Sequence, residues 1–313
     1  GIDAIKGQAM SDSVQVAHDT QYMFKQSVLQ TAVGLGFVHI IPFPLSSDDP
    51  NPNQPRVQNP ITPELTVLRS NGIGTILQTA QYNAARHSTP NRLVSVAPVW
   101  TEDGGEATQL SILIEGAMQF QPFRRLESHT KAVDFYGLKG VFEQCFPALV
   151  GAYTVERSKR SQLHPGQSAD IYINDRYVGC MGMVHPTVLD SHKLGAGIGV
   201  IDINITDLAD AYPKVLHYAP VSKYPATTRD VTYITSRSVA VGSIIDILNK
   251  NKPDLCTHIA VCGYFEQEGS DDVNVSFRMV YQDPEASLEM EAVNAVHKTF
   301  AETVIAHIPC RFP

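Results

Sequence analysis

The chain has 313 residues, 43% of them apolar, and 24 Lys plus Arg stand against 32 Asp plus Glu for a net charge of −8. At roughly 100–200 residues per domain, that length predicts two domains, each able to bury its own core. The acidity excludes a protein coated in basic charge for non-specific nucleic-acid binding but leaves room for a local basic site; 20 Pro and 21 Gly are ordinary for a turn-rich globular chain and remove the collagen-like, disordered and coiled-coil classes.

In chain order, Asp19 is an N-cap for a helix through Leu35, ended by Gly34 and Gly36. Phe37–Phe43 reads as a strand, and residues 44–63 as a proline-rich loop of the length that is usually functional. Ile73–Arg86 is a helix with Ile73, Ile76, Leu77 and Ala80 on one face. Arg92–Trp100 and Gln109–Phe120 are strands separated by the turn Asp103-Gly104-Gly105. Residues 130–146 form a helix whose stripe is Val133, Tyr136, Val141, Phe142 and Cys145. Alternation at Ala169, Ile171 and Ile173, the turn Asn174-Asp175 and the return Tyr177–Val184 predict a hairpin; Val200–Ile205 is one more strand. Strands in meanders give the first part an α+β class with a largely antiparallel sheet.

The second part starts after Tyr212-Pro213. Asp230–Thr235 is a strand, Ser238 caps a helix carrying Val241, Ile244, Ile245 and Leu248, and His258–Phe265 is a strand. Val273, Val275, Phe277, Met279 and Tyr281 alternate without a break. Ser287–His307 is helical and Cys310–Phe312 is a last strand. The order β-α-β-β-α-β is the split-βαβ or ferredoxin-like arrangement, with both helices on one face of a four-stranded sheet. Parity places Phe277 and Tyr281 in the core and Arg278 on the open face.

No apolar run approaches the roughly 20 residues of a membrane span, and Gly1–Gly7 holds no signal-peptide core. The start without Met reads as a processed or excised piece. Cys145, Cys180, Cys256, Cys262 and Cys310 are odd in number and lack CxxC spacing, so they read as buried free thiols in a reducing cytoplasm. The His residues show no HExxH or HxH pair, so no metal site is expected. Gly195-Ala196-Gly197-Ile198-Gly199 is followed by a strand and not by a helix, which favours a plain loop over a phosphate cradle. His164-Pro165-Gly166 and His185-Pro186 read as turns with the His donating a local hydrogen bond. No GxxxxGK[ST], GxSxG or placed Cys–His pair is present. Lys223–Asp230 leads into the ferredoxin-like unit with two cations and an aromatic, the combination that clasps phosphates and stacks bases, or equally a solvated linker.

Five blocks, in order, carry a resemblance. They are Asn59–Ser70 (NPITPELTVLRS), Asp134–Gly140 (DFYGLKG), Leu163–Ala169 (LHPGQSA), Gly179–Pro186 (GCMGMVHP) and Ser222–Asp230 (SKYPATTRD). Together they resemble the C-terminal part of the bacterial phenylalanyl-tRNA synthetase β-subunit family. Gly1–Ile5 resembles the run that leads out of that family's preceding domain. The resemblance implies a 1–13 linker from an absent upstream domain, a class II synthetase-like but catalytically inactive module at 14–213, and a ferredoxin-fold anticodon-binding domain at 218–313. Departures are Gly137 for an Asp, Ser95 for an acidic residue, Met183 for a Glu, Thr228 for an Arg, and a proline-rich insert near 46–58. No motif-two Arg and Glu pair is found, so no catalytic residue is expected here.

The function implied is the noncatalytic part of a cytoplasmic heterotetramer. The first module would support the catalytic α subunit, presenting the apolar stripes of 19–35 and 73–86. The second would bind the tRNA anticodon region during ATP-dependent charging with phenylalanine. Candidate RNA contacts are Lys223, Tyr224, Arg229, Arg237, Arg278 and Arg311. ATP and Mg belong to the assembled enzyme, and no cofactor is expected on this piece. The alternatives are a stand-alone synthetase-derived RNA-binding or interaction protein, and an enzyme using the old class II cleft. Residues 218–313 hold eight Lys and Arg against twelve Asp and Glu, a balance of −4, so no basic domain hides inside the total.

Overall fold

The computed structural model describes residues 19–47, 49, 51–117, 132–149, 152–211, 220–266 and 269–313. The expected linker at 1–13, the strand end at Phe120, the helix start at 130 and the Tyr212-Pro213 junction lie outside the described residues. The chain divides into two units, Gly1–Val215 and Leu216–Pro313.

In the first unit, α1 (Thr20–Gly34) starts where Asp19 accepts from the Gln21 and Tyr22 amides at 3.0 and 3.1 Å. The expected strand at 37–43 contracts to β1 (Val38–His39). After the Ile40 amide donates to Val94, Pro42 and Pro44 have no N–H to continue the ladder. The proline-rich loop opens with β2 (Leu45–Ser46), which pairs with β3 (Val67–Leu68) just beyond the loop. Then come α2 (Ile73–Ala84), β4 (Arg92–Trp100) and β5 (Glu106–Glu115). Helix α3 (Phe135–Cys145) is shorter than expected because Asp134 caps it, accepting from the Gly137 amide at 2.7 Å. Tyr136 therefore leaves the expected stripe and is 74% exposed.

Strand β6 (Thr154–Arg157) was not foreseen. The predicted hairpin is β7 (Leu163–Ile173) and β8 (Arg176–Val184), closed by Asn174 and Asp175 at φ +50° and +62°, a type I′ turn. His185-Pro186 is more than a turn. Pro186 opens α4 (Pro186–Ser191), and His185 caps it by accepting from the Thr187 amide. His164 likewise accepts from the Gly166 amide and does not donate to it. Next come β9 (Ile198–Asn204) and α5 (Ile205–Ala211). Ile205 thus starts a helix; it does not end a strand.

These strands form a seven-stranded sheet in the order β1-β4-β5-β9-β8-β7-β6, antiparallel except for β1 with β4. One face packs on α1, α3 and α5 through Val28, Ala32, Ile112, Phe142, Ile201 and Ile203. The other packs on α2 and α4 through Ile73, Ile76, Leu77, Leu113 and Leu189. This corrects the expectation that the α2 stripe waits for a partner subunit, whereas on α1 the apolar Tyr22, Met23 and Val33 stay 55%, 55% and 47% exposed. Ile73, Ile76, Leu77 and Ala80 of α2, and Val28 and Ala32 of α1, are spent on the chain's own core.

The second unit runs β10 (Thr227–Ser236), α6 (Val241–Lys250), β11 (Cys256–Glu266), β12 (Asp272–Tyr281), α7 (Met290–Ile305) and β13 (Cys310–Arg311). The order across the sheet is β11-β12-β10-β13, all antiparallel. Ala240, and not Ser238, precedes α6; the Ser238 hydroxyl is taken by Ser236. Val273, Val275, Phe277, Met279 and Tyr281 all face the helices, fully buried with Tyr233, Ile244, Leu248 and Val304. Cys145, Cys180 and Cys256 are buried as expected, whereas Cys262 is exposed at an irregularity of edge strand β11.

Candidate nucleic-acid interface

The face of the second unit's sheet turned away from its helices is fixed by register. Directly opposed residues share a face, so the three central rows of the open face follow from the buried set. One holds Asp230, Arg278 and Ala260; the next Thr232, Ser276 and Gly263; the third Ile234, Asn274 and Phe265. Arg311 opposes Ile234 and joins the third row. The Thr232 and Ser276 hydroxyls are 2.8 Å apart, and Gly263 beside them adds no side chain, so the middle of the face is shallow.

The six expected contacts separate into three places. Arg278 lies on the open face, as parity predicted, and Arg311 joins it there. Arg278 is held by Asp230 through two bonds, Nε to Oδ1 at 2.8 Å and Nη2 to Oδ2 at 2.7 Å. This pairing keeps the Asp230 carboxyl below its ordinary range and the Arg278 guanidinium above its own. Arg311 donates to Asp272 at 2.8 Å. Arg237 stands at the end of β10, paired with Glu266. Arg229 has the opposite parity. It lies on the helix side, donating to Asn294 Oδ1 at 2.9 Å and reaching Met290 Sδ on α7. Lys223 and Tyr224 precede β10. Their segment is pinned to the end of β12, because Gln282 donates to the Tyr224 carbonyl at 2.7 Å and the Ser222 hydroxyl donates to the Asp283 carbonyl. Lys223 is exposed and forms no ion pair among the described residues.

Phe265 was missed. Alternation from Ile259 and Val261 puts residue 265 among the helix-facing positions. A bulge between Val261 and Gly263 adds one residue and inverts the parity beyond it. Phe265 therefore opposes Asn274 on the open face, 64% exposed. The Gly263 before the aromatic pair was the available signal.

Two family models match the chain. Residues 7–205 match the phenylalanyl tRNA synthetase beta chain CLM domain, and residues 222–309 match the ferredoxin-fold anticodon binding domain. The chain belongs to the phenylalanyl-tRNA synthetase beta chain family. Its relatives include the phenylalanine–tRNA ligase beta subunits of Geobacillus kaustophilus (strain HTA426), 27% identical over 82% of this chain and 32% of that protein, and of Thermotoga maritima, 24% identical over 97% and 39%. That of Legionella pneumophila (strain Paris) is 26% identical over 94% and 38%. This chain thus spans 30–39% of the length of the curated beta subunits it matches. Among solved structures, a pyrrolysyl tRNA synthetase of Desulfitobacterium hafniense is similar at a TM-score of 0.44 and 12% identity, over 60% of this chain and 66% of that one.

The CLM unit of this beta chain carries a polar row across its sheet. Ser95, Ser111, Asp202, Cys180, Asp170 and Glu156 oppose one another in turn from β4 to β6. The row lies on the α2 face. Asp202 is 2% exposed and accepts from the Ser111 hydroxyl at 2.6 Å. Burial raises its carboxyl above the ordinary range against the pull of Ser111, Arg160 and the Gly72 amide, and burial pushes the Cys180 thiol up to about 12. Arg69, nearly buried, closes one end by donating to the Pro98 and Phe43 carbonyls; Arg160, bonded to the Tyr177 hydroxyl at 2.6 Å and 3.8 Å from Asp170, covers the other. The central carboxylate of the row is sealed beneath Gly72, and Arg69 keeps one buried nitrogen, Nη2, without a hydrogen-bond partner. Among the described residues no His, Cys, Asp and Glu cluster is placed to hold a metal ion, and no helix is long and apolar enough to cross a membrane.

Proposed function

We propose that this chain is the noncatalytic portion of a phenylalanyl-tRNA synthetase beta subunit, acting in the cytoplasm. Its first unit supports the catalytic alpha subunit, and its second holds the tRNA anticodon region while the assembled enzyme charges tRNA with phenylalanine at the expense of ATP. ATP and Mg are then the alpha subunit's ligands. The observation that carries the reading is the ordered match of a CLM domain and an anticodon-binding domain along one chain. The sealed polar row supports a unit that does no chemistry of its own.

The surface offered to the alpha subunit is not the buried α2 stripe. Beside the short edge strand β1, Ile41, Phe43 and Tyr82 are 87%, 72% and 58% exposed around a groove of about 540 Å³ lined also by Leu45 and Leu65. An apolar patch of this kind marks an interaction site. Co-expression with the alpha subunit tests it. The two chains should co-purify, Phe43→Asp with Tyr82→Glu should separate them, and the beta chain alone should give no ATP–pyrophosphate exchange. A beta chain that stays monomeric beside the alpha subunit would overturn the reading.

A further inference from the structure

Helix α2 begins without an anion of its own. Gly72 at its N-cap has no side chain to accept from the first amides, and its first turn holds no Asp or Glu, although a helix N-terminus favours negative charge. The charge comes from 21 residues before Ser70. Asp49, in the proline-rich insert near 46–58, accepts from the Ser70 amide through Oδ2 at 2.7 Å and from the Ser70 hydroxyl through Oδ1 at 2.7 Å. Oδ1 also takes the Asn51 amide at 2.9 Å. Asp49 is only 9% exposed, and three donors on one carboxylate are hydrogen bonds of the charge-assisted, strong kind.

Beside this carboxylate lies a cavity of about 30 Å³, walled by Asp49, Arg69, Asn71, Gly74, Thr75 and Gln78. It has room for roughly two waters. Arg69 is 3% exposed, with Nε and Nη1 taken by the Pro98 and Phe43 carbonyls and Nη2 unused. The site thus joins a helix N-terminus, a paired amide and hydroxyl on Ser70, and a buried cation with a spare donor. The two donors of Ser70 match the two oxygens of a planar carboxylate. The insert is fastened around the site at two further points. Gln54, 3% exposed, donates to the Trp100 carbonyl at 2.6 Å, and Asn51 Nδ2 donates to Glu102 at 2.9 Å. Trp100 in turn donates its amide to the Arg69 carbonyl at 3.0 Å.

We propose that Ser70, Arg69 and the start of α2 form a carboxylate-binding site, and that the proline-rich insert closes it with Asp49 as a tethered occupant. The free ligand of such a site is a small monocarboxylate. A short tether supplies an effective concentration of about millimolar, and a ligand of three heavy atoms binds no tighter than roughly millimolar. In the native chain Asp49 therefore keeps free carboxylates out, and the insert seals the end of the polar row that Arg69 closes. The inference is independent of the proposed function, since it needs neither the alpha subunit nor RNA.

The test uses the whole chain, with formate, acetate and chloride as probes at one ionic strength and the first unit's transition followed by calorimetry. Asp49→Ala removes a carboxylate and leaves a space the size of formate; Asp49→Gly leaves one the size of acetate. Both variants should melt below the wild type. Formate should restore Asp49→Ala and acetate should restore Asp49→Gly. Above half-saturation, at about 1 mM or higher, the folding equilibrium constant should rise about tenfold for each tenfold of ligand. Chloride should restore neither variant, and the wild type should respond to none of the three. Asp49→Asn fills the space without the charge, so it should be destabilised and unresponsive. Adding Ser70→Ala to Asp49→Ala should weaken formate about tenfold or more. Where a variant is unfolded in chloride, refolding in its matched carboxylate gives the same answer. Variants as stable as the wild type, chloride as effective as the carboxylates, or no response of either variant to its matched carboxylate overturns the inference.

Discussion

Gly72 sits against the centre of the buried polar row. A Cβ built on it would lie 1.7 Å from Ser111 Oγ and 3.0 Å from Asp202 Oδ1. Neither neighbour can give way easily, since the Ser111–Asp202 bond is the carboxylate's side-chain anchor in a dry environment. Gly72→Ala should therefore combine overpacking with a broken buried hydrogen bond and cost about 3 kcal/mol. Urea unfolding measures this, and a variant as stable as the parent would refute the packing argument. His297 is a second residue whose setting decides its chemistry. Burial lowers its pKa, with Arg229 in the same direction and the Asp230 backbone and carboxylate opposing; its Nδ1 meets the Tyr281 hydroxyl at 3.0 Å. The folded state thus resists protonating it, while the unfolded chain protonates near pH 6.5. The stability His297 confers is present above about pH 6.5 and is lost as pH falls through the depressed folded value. Melting temperatures of the chain and of His297→Gln should converge as pH is lowered across that window. Parallel curves would remove His297 as the cause.

At the level of elements, the five alternating apolar residues of β12 were legible because strand period and burial agree along an unbulged central strand flanked by partners on both sides. Phe277 is fully buried and packs edge-on against Tyr233 with ring centroids 5.9 Å apart. Phe277→Ala should cost about 3–5 kcal/mol and destabilise the second unit's transition in calorimetry, leaving the first unit's transition in place. A shift of both by equal amounts would contradict two separately cored units. Strand β11 was legible in position but not in facing. Its bulge at 261–263 reverses parity, and nothing in a period-two pattern reports an inserted residue. Helices α4 and α5 escaped notice for a different reason. At six and seven residues they are too short to show a helical period, and they exist because a cap at His185 and packing at Leu208 select them.

At the scale of the whole molecule, the net charge of −8 and the balance of −4 in residues 218–313 already said that RNA affinity could not rest on a basic coat. The four arginines of that segment are each engaged by a neighbour: three by carboxylates, and Arg229 by Asn294. The expected pair of phosphate contacts at Lys223 and Arg229 thereby reduces to Lys223, and the salt dependence of the assembled enzyme should change by about one unit of slope, not two, when both are reversed. The sequence by itself determined the two-unit division, the ferredoxin-like order of elements and the family. Those follow from periodicity, punctuation and ordered motifs, which are local. Only the tertiary structure decided which apolar residues remain exposed for a partner, which face Phe265 occupies, and that the arginines meet carboxylates. Those depend on register between strands far apart in the chain, and a shift of one residue inverts every side chain it carries.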